Sequence, residues 1–404
     1  MNIFPVSASN RVRAKNNVRR KNGSHLTKRG GIMQEDDIMA VTNLTVDSGL
    51  LRKEPKRAIP TSTVGRGKAI NLDIKIDRSV WQENGITLCH GDALNCYERW
   101  ERPTTIISDG GYGVLGFEGD TSDHLGLPEW YEPHIKEWSK HALPNTTLWF
   151  WNSEIGWASV HPVLERYGWR YVNANIWNKG KGHIAGNVNT AKIRRFPVVT
   201  EVCVQYVFEN RIAGVPLKNW LLHEWKRTGL PLRKANEACG VADAAVRKYL
   251  DQGHLWYFPP IEMFIRLVEF ANKFGNPTGR PYFSKDGKLP MSAKEWAQMR
   301  SKFKCPHGYT NVWERNALRD TERVKTLEGR AVHLNQKPLD LIKLIIEASS
   351  DERDVIWEPF GGLFTACLSS MMLKRKAYGS EIDPTYYHYG VQRFLSLLNQ
   401  RLPL

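Results

Sequence analysis

The feature that most constrains this chain is a short apolar strand running into a glycine-bearing turn near its C-terminal end. The strand, 353–357, contains Val355-Ile-Trp357; Glu358-Pro-Phe-Gly-Gly362 follows, and a helical stretch, 364–374, comes next. Such a turn lets a ligand approach the backbone, where free N–H groups at the helix start can face a polar or anionic group. The following strand, 376–381, ends in Glu381. An acid at that strand tip is placed to accept hydrogen bonds from two ribose hydroxyls. The G-x-G-x-x-G pattern of a pyrophosphate binder is missing, which points to a nucleoside-containing cofactor without a pyrophosphate and away from a nicotinamide dehydrogenase. The plainer alternative is a helix-capping turn at Gly361-Gly362 and a surface acid at Glu381.

The rest of the chain has matching texture. Apolar runs at Ile86–Leu88, Thr105–Ser108, Thr147–Trp151, Tyr171–Trp177 and Val199–Val207 alternate with helical stretches and predict buried strands of an α/β sheet. Further helices are expected over 338–349 and 385–398. Thr104-Thr-Ile-Ile-Ser108 leads into Asp109-Gly-Gly-Tyr-Gly113, a second acid-headed turn at the end of a strand. By itself this is also compatible with a D-G-G hairpin turn.

Taken in order, Asp109-Gly-Gly-Tyr112, Asn335-Gln-Lys-Pro338, Glu358-Pro-Phe-Gly-Gly362 and Glu381 resemble the motifs of the amino-group DNA methyltransferases. The resemblance implies a Rossmann-like α/β fold that binds S-adenosyl-L-methionine, with Glu358, Phe360, Gly361 and Gly362 wrapping the cofactor and Glu381 holding its ribose. Lys337 would position the methionine end, and Asp92, in Gly91-Asp92-Ala93, would sit near the adenine. The first turn resembles the family's acid-Pro-Pro-aromatic motif, with Gly110-Gly111 in place of the prolines; Leu363-Phe364-Thr365 stands where the family usually has a small residue, then Gly-Thr.

The implied chemistry explains the residue types. An exocyclic amino nitrogen is a poor nucleophile because its lone pair is delocalised into the ring. A carboxylate and a backbone carbonyl that accept its two N–H bonds favour a more tetrahedral nitrogen. Asp109 is the expected side-chain acceptor, Gly110 the carbonyl, and Tyr112 the ring that stacks on a base extruded from the duplex. Asn175-Ile-Trp-Asn-Lys179 and Glu201 are candidates for the wall of the target pocket. Because the catalytic motif precedes the cofactor motif, the chain resembles the beta group, whose mixed sheet is circularly permuted. The expected reaction is methylation of adenine N6 or cytosine N4, with Asp109 favouring adenine. The alternatives are a DNA-binding relative without turnover and an RNA methyltransferase.

The expected organisation is a tail (1–70), a catalytic half (71–208), a target-recognition insert (209–325) and a cofactor half (326–404). Within the insert, Leu232-Arg-Lys-Ala-Asn-Glu-Ala-Cys-Gly240 and a second helix over about 242–251 resemble a helix-turn-helix, with Ala235, Val241, Val246 and Tyr249 turned inward. Lys234, Arg247 and Lys248 are the candidate DNA contacts, and Arg280 and Lys302–Lys304 would add phosphate contacts. Asn236 occupies a position where a small apolar residue is commoner.

The formal charge of +15 invites a polyanion, but residues 1–70 hold 14 Lys/Arg against 5 Asp/Glu, leaving a surplus of only 6 elsewhere. Those 70 residues lack an apolar period and are expected to be largely disordered, with Met33 and Met39 as alternative starts. Six cysteines without a C-x-x-C pair argue against a zinc site and against a disulfide framework, so no metal is expected. No apolar run has the length of a membrane span, and no membrane partner is expected. Together these readings imply a cytoplasmic enzyme with double-stranded DNA as partner and a possible cognate restriction endonuclease.

Overall fold

A computed structural model describes residues 79–115, 120–180, 194–251, 253, 255–319 and 322–401. The expected basic tail and both alternative starts lie outside the described residues. Eleven strands are present among these residues: β1 (Val80–Glu83), β2 (Ile86–His90), β3 (Thr105–Ser108), β4 (Thr147–Asn152), β5 (Trp169–Asn178), β6 (Thr200–Phe208), β7 (Arg211–Ile212), β8 (Val215–Pro216), β9 (Val312–Glu314), β10 (Val355–Glu358) and β11 (Lys376–Glu381). The helices are α1 (Leu127–His141), α2 (Glu154–Arg166), α3 (Leu217–Arg227), α4 (Lys234–Cys239), α5 (Ile261–Phe274), α6 (Ala293–Gln298), α7 (Leu339–Ser349), α8 (Thr365–Met372) and α9 (Pro384–Arg401).

Nine strands form one mixed sheet in the order β1-β2-β11-β10-β3-β4-β6-β5-β9. Strands β2, β11, β10, β3 and β4 are parallel, β1 is antiparallel on one flank, and β6 runs antiparallel between β4 and β5. Strands β10 and β11 come from the end of the chain yet lie between β2 and β3 from its beginning. The α/β fold is therefore a permuted mixed sheet. Its far edge is β9, paired parallel with β5 although its residues fall in the span expected as the insert.

Side-chain alternation along the strands builds two cores. Ile107, Trp149, Trp151 and Ile356 face α7, α8 and α9, where Ile342, Ile345, Ile346, Val391 and Phe394 are buried. Their strand neighbours Ile106, Leu148, Phe150 and Trp357 face the other way, against Tyr131, Ile135 and Trp138 of α1 and Val160 and Leu164 of α2. The strands buried on both faces are the ones that read as continuous apolar runs.

A third core spans Ile212 to Met299 and belongs to the insert; Leu221, Trp225, Phe264, Leu267 and Trp296 are fully buried there. Helix α4 ends at Gly240, whose φ of 67° supplies a left-handed cap. The second helix of the pair is shorter than expected: its chief element is one wide turn, Val246–Leu250. Asn236 Oδ1 accepts a hydrogen bond from Val246 N at 3.0 Å, so the polar residue ties the two helices together where an apolar one would pack. Among the described residues no helix is long and apolar enough to cross a membrane.

Candidate active site

Strands β3 and β10 are parallel neighbours, with Thr105 opposite Ile356 and Ile106 opposite Trp357. Their turns therefore leave the same edge of the sheet. The chain then diverges, β3 toward α1 on one face and β10 toward α8 on the other, which opens a crevice at the strand tips. The two turns touch. A Cβ at Gly110 would come within 2.7 Å of the Phe360 ring and 2.9 Å of the Tyr131 hydroxyl, so the chain has a residue without a side chain where the ring packs. Neighbouring Gly111 has its carbonyl fixed by Tyr131 Oη (3.0 Å) and Asn152 Nδ2 (2.8 Å). Two external hydrogen bonds thus do part of what paired prolines would do internally. Beyond the turn, Asp120 accepts from the amides of Gly113, Val114 and Thr121 and clasps the loop.

Asp109 is partly exposed, and its Oδ1 accepts from the Tyr112 hydroxyl at 2.8 Å and from Lys337 Nζ at 2.7 Å. Lys337 is buried, and a buried ammonium needs partners. It finds them in Asp109 and in Glu201, whose Oε2 lies at 3.5 Å. Glu201 Oε1 in turn meets Lys179 Nζ at 2.6 Å. The lysine expected beside the cofactor's methionine end is thus committed to the Asp109 turn. Burial pulls the Lys337 ammonium down, but Asp109 and Glu201 more than reverse this and hold it above its usual range. Burial pushes Glu201 up, and Lys337 and Lys179 outweigh it, so the carboxyl stays below its usual range. The Tyr112 hydroxyl is driven well up by burial and by the Asp109 charge, and it stays a hydrogen-bond donor.

The second turn is held differently. Glu358 is buried, and its two oxygens accept from Ala366 N (2.9 Å) and Cys367 N (2.7 Å) at the start of α8. Glu381 accepts from Gly362 N (2.6 Å) and Asp383 N (2.8 Å). Burial raises both carboxyls to about 7 against the pull of those amides. Phe364, just before α8, has φ +54° and ψ 47°, left-handed values that fit the glycine usual there in the resembled motif. Its buried ring lies where Cβ atoms at Gly361, Gly379 and Gly390 would collide with it. Asp92, at the tip of β2, accepts from Leu94 N at 2.9 Å and caps a short helical turn. Gly91 beside it bonds through its amide to the Glu381 carbonyl at 2.8 Å, and a Cβ on Gly91 would meet nothing within 4 Å.

Asp109, Gly110, Tyr112 and Lys337 therefore share one cluster, which joins Phe360, while Gly361, Gly362, Glu381 and Asp92 border it along the same edge. Lys234, Arg247 and Lys248 stand apart on the insert; Lys234 pairs with Glu237 (2.6 Å), Arg247 pairs with Asp243 (3.2 Å), and Lys248 is exposed. The other expected phosphate contacts are engaged by acids: Arg280 meets buried Glu224 at 3.2 Å, Lys302 meets Asp354 at 2.6 Å, and Lys304 meets Asp351 at 2.6 Å. Sequence reasoning missed Asn152, Tyr131 and Asp120. Asn152 alone left a trace, as a polar residue closing an otherwise apolar strand.

A family model described as DNA methylase, of the N6/N4 type, matches residues 97–392. The chain belongs to the N6/N4 DNA methylase family. The match takes in both turns and the insert of this N6/N4 DNA methylase. A DNA adenine methyltransferase of Escherichia coli, YhdJ, is 38% identical over 84 residues, which is 20% of this chain and 26% of YhdJ. The Type II methyltransferase M.HindIII of Haemophilus influenzae is 35% identical over 68 residues, 17% of this chain and 22% of its own. This chain thus aligns with only about a quarter of the length of these relatives. Among solved structures, the cytosine-N4-specific PvuII DNA methyltransferase aligns over 76% of this chain and 86% of its own, with 13% identity and a TM-score of 0.46.

Proposed function

We propose that this protein transfers a methyl group from S-adenosylmethionine to the exocyclic amino nitrogen of a base in double-stranded DNA. The observation that carries this reading is the contact of the two turns, with Phe360 against Gly110, because a ligand seated on one turn then borders the reactive carboxylate of the other.

The residues present suit that cofactor. A carboxylate offers about four acceptor sites, and Glu381 has one bond on each oxygen, which leaves capacity for two ribose hydroxyls. Open space over Gly91 lies beside it, with Asp92 at its rim. Gly361, Gly362 and Phe360 would form the floor, while Glu358 shapes the turn from behind through the α8 amides. When bound, the cofactor supplies a methyl group on an electrophilic sulfonium.

The chain's own groups do the rest. Lys337 and the Tyr112 hydroxyl both bond Oδ1 of Asp109, which leaves Oδ2 to accept one N–H of the target amino group. The Gly110 carbonyl takes the other N–H, the Tyr112 ring stacks on the base, and Phe360 and Trp130, whose rings lie 5.1 Å apart, keep water from the junction. As the nitrogen gains the methyl group, it sheds a proton through Asp109 Oδ2. Target recognition belongs to the insert, with Arg247, Lys248 and Lys234 as its DNA contacts. Adenine N6 is the favoured target: an aspartate heads the turn, and YhdJ is described as an adenine methyltransferase.

The test is expression in a host free of DNA methylation, followed by digestion of host DNA and mass spectrometry of the nucleosides. N6-methyladenine is the expected product. A soluble, cofactor-binding protein that yields neither N6-methyladenine nor N4-methylcytosine would overturn the proposal.

A further inference from the structure

Phe196 is 95% exposed, more than any other large apolar side chain described. A lone exposed apolar residue is ordinary, but the setting of this one is particular. Exposed Arg194 and Arg195 precede it, and Pro197 and half-exposed Val198 follow. The neck of its connection is closed by Lys179 N bonding to the Val199 carbonyl at 2.8 Å. Beyond the neck, Val202 pairs with Asn152 at the end of β4, and β4 pairs on its other side with β3, Phe150 opposite Ser108. The ring is therefore carried at the sheet edge from which the Asp109 turn leaves. Five residues on, Glu201 lies 3.5 Å from the Lys337 ammonium, which touches Asp109. Five extended residues span at most roughly 17 Å, comparable with the about 12 Å width of the groove through which a base swings.

We propose that Phe196 is a wedge that enters duplex DNA and fills the gap left by the base drawn to Asp109. The inference rests on the methyl-transfer reading and adds how the duplex is held open. Extruding a base leaves unstacked neighbours, a cost of a few kcal/mol, and an inserted apolar side chain offsets part of it. The two arginines beside the ring match the phosphates that such insertion brings close.

The test uses full-length protein and a synthetic duplex carrying the site mapped by sequencing the modified bases in host DNA. One form has the target base paired, and the other sets it opposite an abasic position, where no pairing is broken. Phe196→Ala should lower kcat/KM on the paired duplex by roughly ten- to a hundredfold and on the abasic form by less than about threefold, while Phe196→Trp stays near wild type. Cofactor affinity and melting temperature should not move. A merely structural role would lower both duplexes together and shift the melting temperature; that result overturns the wedge. Phe196→Ala matching wild type on the paired duplex also overturns it, and leaves the ring as a contact for some other molecule. If host DNA carries no modified base, no duplex can be built, and the methyl-transfer reading falls and takes the wedge with it.

Discussion

The two turns at the crevice share ingredients, a carboxylate followed within a few residues by paired glycines, yet they are held in opposite ways. The Asp109 turn is secured by a chain of charges, Asp109–Lys337–Glu201–Lys179, with steps of 2.7, 3.5 and 2.6 Å. The Glu358 turn is secured by backbone amides on Glu358 and Glu381 and by the Phe364 ring. Burial without a bonded lysine raises these two acids to about 7, whereas half-buried Glu201, which has two lysines, is held down. The difference follows the work proposed for each turn. A carboxylate that must accept a hydrogen bond from substrate needs a fixed charge and one free oxygen. Glu358, which shapes the cradle from behind, needs only to reach nearby amides, and Glu381 keeps its remaining lone pairs for the ribose.

The comparison breaks most sharply at Asp109. Asp109→Ala removes the substrate acceptor, and the rate of methyl transfer should fall roughly 10²–10⁴-fold. Because Glu381 and Gly362 are untouched, calorimetry should find cofactor affinity unchanged; lost affinity would mean that the two turns are not separable. Next in size is Lys337→Met, which leaves Asp109 and Glu201 without their shared cation. Removing one partner from a buried ion pair costs about 3–5 kcal/mol, readable as a lower urea midpoint. Adding Glu201→Gln should restore part of the loss; no restoration would show that the lysine's packing, not its charge, is what matters.

The pH response should come from the other turn. Glu358 and Glu381 ionise near 7 in the folded protein and near 4.5 when unfolded. Between those values the unfolded chain binds fewer protons, so stability falls as pH rises through the window and levels off above it. Each group contributes roughly 3 kcal/mol at most. The melting temperature should therefore drop from pH 5 to pH 8, and Glu381→Gln should flatten part of the slope. An unchanged slope would mean that Glu381 is not the titrating group. Ribose hydroxyls favour the ionised carboxylate, so cofactor affinity should rise over the same window.

The same contrast explains what the sequence made legible. Strand tips ending in Asp109, Glu358 and Glu381 could be read because apolar runs and turn residues are local signals. The permuted order, with β10 and β11 between β2 and β3, came from motif order and resemblance; no single run encodes which strand it will pair with. Lys337 was placed beside the methionine end by resemblance alone; its bond to Asp109, 228 residues away, was not legible, since only burial dictates that the ammonium must find it. The acids that meet Arg280, Lys302 and Lys304 were not legible for a similar reason, because Glu224, Asp354 and Asp351 are supplied from elsewhere in the chain. Gly110-Gly111 is the instructive case. From sequence it departs from a two-proline motif, whereas in the fold the missing side chain makes room for Phe360.

The smallest expected difference, about 1 kcal/mol between two variants, tests the cofactor turn's other support, Phe364. A left-handed backbone costs a non-glycine residue roughly 1–2 kcal/mol, and the buried ring offsets that strain by filling the slot beside Gly361, Gly379 and Gly390. Phe364→Ala loses the ring and keeps the strain, so it should destabilise by about 3–5 kcal/mol. Phe364→Gly loses the same ring but relieves the backbone, and should be the more stable of the two variants by about 1 kcal/mol. The slot also makes a reciprocal demand. Gly390→Ala places a Cβ 2.5 Å from the ring in wild type and should be harmful there, yet it should be tolerated once Phe364 is glycine. Denaturant midpoints for the four proteins of that cycle, and for Phe364→Ala, decide the matter. If the Ala and Gly variants at 364 unfold together, the strain is not being balanced by the ring, and the turn is held by the carboxylates alone.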